Sequence, residues 1–94
     1  MWTVWERRSL QKELRKLPVD VLNRYHKWKD LVVFSGPQGI RMIRGFRDEA
    51  LRGRWRGHRS SRLNRQYRVI YRVVAQEIRV EVIDVRAHDY RRRK

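Results

Sequence analysis

The sequence predicts an α+β fold: a small, mainly antiparallel four-stranded sheet with an N-terminal helical hairpin packed on one face, in the order β-α-α-β-β-β. Three observations carry this. Leu10, Leu14 and Leu17 recur at i, i+4 and i+7, the stripe of an amphipathic helix. Pro18 then stops that helix and can open another, which makes a hairpin. From residue 67 onward the period changes to two, with Tyr67, Val69, Tyr71 and Val73 on one side of a strand and Arg68, Ile70 and Arg72 on the other.

In chain order, Trp2 to Trp5 mixes aromatic and β-branched residues and reads as a short strand. A helix over about residues 6 to 16 follows, its charged positions mainly outside the leucine stripe. The second helix carries Val21, Leu22, Tyr25, Trp28, Leu31 and Val32 until Ser35-Gly36-Pro37 breaks the pattern. Between Gly36 and Gly57, glycines punctuate basic residues, which predicts a short helical turn and then a loop. His58 to Leu63, Tyr67 to Val74 and Ile78 to Val85 read as three strands, with turns at Asn64-Arg65-Gln66 and near Ala75-Gln76. The helices should bury Leu10, Leu14, Leu22, Tyr25, Val69, Tyr71, Val80 and Val82.

With 94 residues the chain should form one domain, residues 1–94, burying roughly 60–65% of its unfolded surface. It has no cysteine, so a disulfide or thiolate metal site is excluded, and its apolar runs are too short to span a membrane. The first residues lack the basic start and apolar stretch of a signal peptide, so a cytoplasmic location is expected. No phosphate-binding loop, dinucleotide turn or metal-ligand cluster is legible, and no cofactor is expected.

Charge gives the clearest functional signal. Twenty-five Lys+Arg against 10 Asp+Glu leave a net charge of +15, which favours a polyanionic partner. If the helices cover the apolar side of the sheet, then His58, Arg62, Arg68 and Arg72 share the other side as a basic surface. Of the histidines, His26 lies in the second helix beside Tyr25 and Lys27 and reads as a surface or partly packed position. His58 begins the strand that carries Arg62, and the final His88-Asp89-Tyr90 supplies two more groups able to transfer protons.

"RSSRLNRQYRVIYRV" and "IRVEVIDVRAHDY", after a helical hairpin of this size, resemble the RelE/ParE superfamily of bacterial type II toxins over Trp2 to Arg93. The resemblance implies a toxin neutralised by an antitoxin encoded beside it. RelE-like members enter the ribosomal A site and cut messenger RNA, whereas ParE-like members poison DNA gyrase. Three readings are therefore open: a ribosome-dependent, metal-independent mRNA endoribonuclease, a gyrase inhibitor, or a noncatalytic RNA- or ribosome-binding protein.

Under the first reading, Arg62 and Arg68 stabilise phosphate charge, because Arg68 falls where RelE-like toxins carry a functional arginine and Arg62 near the family's strand-borne basic group. His88, Tyr90 and His58 are candidates for proton transfer, the first two at the family's C-terminal catalytic positions. Arg54, Arg56, Arg59, Arg65, Arg72, Arg86, Arg91 and Arg92 are assigned to RNA contacts. One departure stands out: Ser60 and Arg62 occupy the strand where some relatives carry a lysine pair, which leaves the general base unassigned. The antitoxin should offer an acidic and apolar segment that covers the basic surface or displaces residues 86–94.

Overall fold

The computed structural model describes residues 1–87. Its strands are β1 (Thr3–Glu6), β2 (Glu49–Ala50), β3 (Arg59–Arg62), β4 (Tyr67–Val74) and β5 (Arg79–Ala87), and its helices are α1 (Leu10–Arg15) and α2 (Val19–Arg41). They form an α+β structure with five strands in the order β1-β5-β4-β3-β2. β1 runs parallel to β5, and every other pairing is antiparallel. The fifth strand, β2, lies where the sequence predicts a loop. It is only two residues long and has no apolar alternation to announce it, being made by pairing of Glu49 and Ala50 with Ser60 and Arg59.

α1 is shorter than the expected residues 6 to 16 because β1 takes Glu6, which pairs with Val82 in the sheet. Residues 7 to 9 then turn the chain, and Leu10 N–H donates to the Arg7 carbonyl at 3.0 Å. α2 breaks where Ser35-Gly36-Pro37 predicts, at Gly36 (φ 72°, ψ 178°), but the helical path resumes as far as Arg41. Only glycine adopts that conformation readily. A side chain there would also strike Trp2, whose Nε1 lies 2.7 Å from the position of a Cβ.

Both helices pack on one face of the sheet. Leu10 and Leu14 of α1, with Val21, Tyr25, Trp28, Val32 and Ile40 of α2, share a core with Val69, Tyr71, Val80, Val82 and Val85. Of the residues expected to be buried, Leu22 is half-buried against this core and the others are buried within it. The rings interlock, with Tyr25 stacked on Trp28 at 5.9 Å and Trp28 edge-on to Tyr71 at 5.2 Å. Such pairs add about 0.5–1.5 kcal/mol beyond the area they bury.

Period two holds along β4 with one adjustment on its neighbour. Ile70 pairs with Asp84 but Tyr71 pairs with Val82, so Ile83 is an extra residue in β5. This bulge keeps Val80, Val82 and Val85 all on the helix side although their spacing is uneven. Ile70 lies on the side expected to be basic, yet it is fully buried and separate from the main core.

Candidate nucleic-acid interface

The face of the sheet opposite the helices is organised by register. Arg62 of β3 is the cross-strand partner of Arg68 of β4, which is in turn the partner of Arg86 of β5. Residues directly opposite on one face lie about 4.5–5.5 Å apart at Cβ, and like charges so placed repel. Among the described residues, neither Arg62 nor Arg68 has a carboxylate partner, while Arg86 meets only Asp84, at 3.7 Å. The Nε of Arg68 is buried and has no acceptor among the described residues. Leaving a charged donor in that state costs stability unless an anion completes it.

Arg62 and Arg68 line an open pocket of about 320 Å³, with Arg47, Glu49, Ser60 and Tyr67 among its other walls. Glu49 is the partner of Ser60, so it brings an exposed carboxylate to the same face, one strand beyond Arg62. The turn that joins the two arginine-bearing strands is fixed by Asn64, whose Oδ1 accepts the N–H groups of Gln66 and Tyr67, each at 2.8 Å. Arg62, Arg65 and Arg68, although spaced three apart as on a helix, therefore belong to two strands and a turn.

Beneath the pocket a polar network holds β3 to its surroundings. Trp28 Nε1 donates to Ser61 Oγ at 3.0 Å, Ser61 donates to Asp48 Oδ2 at 2.7 Å, and the Tyr71 hydroxyl donates to that same oxygen. Arg59 Nε donates to Asp48 Oδ1 at 2.7 Å. Burial, followed by the bond to Asp48, pushes the Tyr71 hydroxyl pKa well up. For Arg59 burial opposes the charge, but Asp48 more than restores it and the pKa lies above the ordinary value. Asp48 thus pins the chain between Arg47 and Glu49, both of which line the pocket. Sequence reasoning missed Asp48 and Glu49. Their one signal was position, since they are the last acids before a run of arginines.

The structure gathers some expected site residues and separates others. Arg62, Arg68 and Arg86 come together. His58 stands at the far end of β3, about 13 Å along the strand from Arg62, with its ring edge-on to Trp55 at 5.5 Å. Arg72 shares the side of Arg68 but is bound to Glu81 at 2.7 Å, and Arg59 is turned to the helix side by Asp48. Neither therefore adds a free cation to the expected surface. Arg65 is exposed in the β3–β4 turn, and Arg54 and Arg56 are exposed between β2 and β3. His26 is exposed on α2, as expected. His88, Tyr90, Arg91 and Arg92 lie outside the described residues. Among the described residues, no helix is long and apolar enough to cross a membrane.

No family model matches the chain, and no curated protein matches it in sequence. Solved structures do match its fold. The archaeal RelE-RelB complex from Pyrococcus horikoshii is similar with a TM-score of 0.74 at 22% identity, over 95% of this chain and 97% of the other. The toxin-antitoxin complex RelBE2 from Mycobacterium tuberculosis gives 0.66 at 23% identity, over 93% and 98%. A YoeB/ParE toxin from Agrobacterium tumefaciens gives 0.70 at 18%, over 93% and 99%. The match spans both chains nearly end to end in each case, and this chain has the fold of the RelE/ParE superfamily that its sequence resembles.

Proposed function

We propose that the chain is the toxin of a type II toxin-antitoxin pair and a metal-independent endoribonuclease that cuts messenger RNA on the ribosome. The observation that carries this reading is the opposed pair Arg62 and Arg68, two guanidinium groups without carboxylate partners among the described residues, on a rigid sheet face. Their paired donors suit the non-bridging oxygens of a phosphodiester, where charge builds in the transition state.

In the proposed reaction the ribose 2′-oxygen attacks the adjacent phosphorus, forming the O2′–P bond while the P–O5′ bond breaks. The products are a 2′,3′-cyclic phosphate and a free 5′-hydroxyl. Glu49, on the same face as Arg62, takes the 2′-OH proton and fills the role the sequence left unassigned. His88 returns a proton to the 5′-oxygen, and Tyr90 stacks on the substrate base or assists that transfer. The cognate antitoxin, acidic and apolar, neutralises the toxin by covering this face. Two of the similar structures are a RelE-RelB complex and the toxin-antitoxin complex RelBE2.

Inducing the chain in bacteria and mapping transcript 5′ ends tests the reading. New ends at fixed positions within translated codons are expected. Intact transcripts accompanied by DNA breaks would overturn it in favour of gyrase.

A further inference from the structure

We propose that the tip of the β2–β3 hairpin, Arg52 to His58, is a second RNA-holding element. It grips the backbone of the strand outside the point of cleavage and is separable from the Arg62–Arg68 row. The proposal rests on the RNA reading above. From Leu51 to Gln76 the sequence has eight arginines and no aspartate or glutamate. Of these arginines only Arg59 and Arg72 meet a carboxylate among the described residues. Along the β1–β5 side, by contrast, Arg7 and Arg79 are matched by Glu13, Asp84, Glu77 and Glu81. Along the sheet, a polyanion is therefore drawn to the β2–β3–β4 side in preference to the β1–β5 edge.

On that side the hairpin tip has a fixed shape. Leu51 N–H donates to the His58 carbonyl at 2.9 Å, Arg56 N–H to Gly53 at 3.0 Å, and His58 N–H to Trp55 at 2.9 Å. Gly53 and Gly57 take positive φ (67° and 88°), and nothing lies within 4 Å of where a Cβ would stand, so bare backbone faces open space. Arg52, Arg54 and Arg56 are exposed around Trp55, a half-buried indole braced edge-on by His58. Guanidinium groups flanking a fixed aromatic are what a single-stranded RNA needs: phosphates for the former and a base for the latter. Because β3 begins at the hairpin and carries Arg62 at its other end, one strand of RNA can touch both.

The test uses the purified full-length chain and a short 2′-O-methyl oligoribonucleotide, which lacks the attacking hydroxyl and so cannot be cut. Affinity is measured across salt concentrations for wild type, for Arg52→Gln/Arg54→Gln/Arg56→Gln, and for Arg8→Gln/Lys12→Gln/Arg15→Gln on α1 and the turn before it, which removes the same charge elsewhere. Each lost phosphate contact lowers the log–log salt slope by about 0.7 for a single strand, so the hairpin variant should lose about 2 and the α1 variant almost nothing. Trp55→Ala should weaken binding with the slope unchanged. An unchanged slope in the hairpin variant, or equal losses in both triple variants, overturns the proposal. So does loss of antitoxin affinity with RNA binding intact, which would make the hairpin an antitoxin surface. The two readings fail separately: transcripts cut in cells with no hairpin effect on the slope sinks only this one, and a hairpin effect without cutting sinks only the catalytic one.

Discussion

Arg62 and Arg68 face each other across adjacent strands on the uncovered side of the sheet, and neither is ion-paired to a carboxylate among the described residues. Opposed like charges oppose folding, so a neutral replacement of one should leave stability unchanged or raise it by up to about 1 kcal/mol. Cleavage should fall about 10²–10³-fold, the usual effect of losing one charge stabiliser. Urea melts and cleavage assays on Arg62→Gln and Arg68→Gln check both halves. A variant that loses stability and activity together would point to a structural role for the pair.

Asp48 should behave in the opposite way. Its side chain is fully buried and receives donors from Arg59, Ser61 and Tyr71. Asp48→Ala leaves Arg59 without its partner and two hydroxyls without their acceptor, and should cost about 3 kcal/mol or more. Tyr71→Phe removes one bond to a charged acceptor and should cost about 1.5–3 kcal/mol. Denaturant midpoints in that order are expected, and an Asp48→Ala protein as stable as wild type would remove the network from the account of how β3 is held.

Two backbone sites respond to substitution with opposite signs. Gly36→Ala places a Cβ against the Trp2 indole in a conformation other residues avoid, and should destabilise by about 1–3 kcal/mol. Ile78 is a β-branched residue in the left-handed region, at φ 51° and ψ 49°, and it is half exposed. Ile78→Gly relieves that strain at some cost in chain entropy, for a net gain of up to about 1 kcal/mol. Thermal melts of the two variants should move in opposite directions.

The pH dependence of stability should report Glu6. Burial raises its carboxyl pKa, but the Tyr25 hydroxyl, the Lys29 ammonium and the Gln11 amide together outweigh burial and hold it below the ordinary 4.5. A depressed folded value means that the stabilisation is complete above about pH 4.5 and is lost as pH falls through the folded value. Glu6→Gln should therefore flatten part of the acid limb in denaturant melts between pH 5 and pH 2. Glu13 and Glu81, held low mainly by Arg7 and Arg72, should account for some of the remainder. An acid limb identical in wild type and Glu6→Gln would show that the Glu6 carboxyl is not held below its ordinary value in the folded protein.

The leucine stripe, Pro18 and the period of two along β4 were enough to place the helices over one sheet face, because each records burial directly. The sequence could not announce β2, since Glu49 and Ala50 are exposed and their strand exists only through pairing with β3. Nor could it show which arginines are already matched. Arg59 and Arg72 look like Arg62 and Arg68 in the sequence, but Asp48 and Glu81 reach the first two from distant positions. The bulge at Ile83, which preserves the facing of Val85, likewise depends on cross-strand register. Charge partners and register are tertiary facts, so the candidate site was legible as a surface but not as a set of paired and unpaired groups.

Proton transfer can be separated from phosphate holding by comparing Glu49→Gln, His88→Gln and Tyr90→Phe with Arg92→Ala. The Glu49 side chain is exposed and has no hydrogen-bond or ion-pair partner among the described residues, so its replacement should leave folding intact. If it is the base, single-turnover cleavage should drop about 10²–10⁴-fold and the alkaline-rising limb of the pH–rate profile should disappear, with RNA affinity unchanged. If His88 is the acid, His88→Gln should lower the rate by a similar factor while removing the opposite limb. Tyr90→Phe keeps the ring and should lose less than Tyr90→Ala if stacking is its main part. Arg92→Ala removes about one phosphate contact and should weaken binding and its salt dependence while leaving the bound rate unchanged. Should Glu49→Gln and His88→Gln cut at the wild-type rate with unchanged pH profiles, proton transfer lies elsewhere, and the opposed arginines serve to hold a phosphate and not to break it.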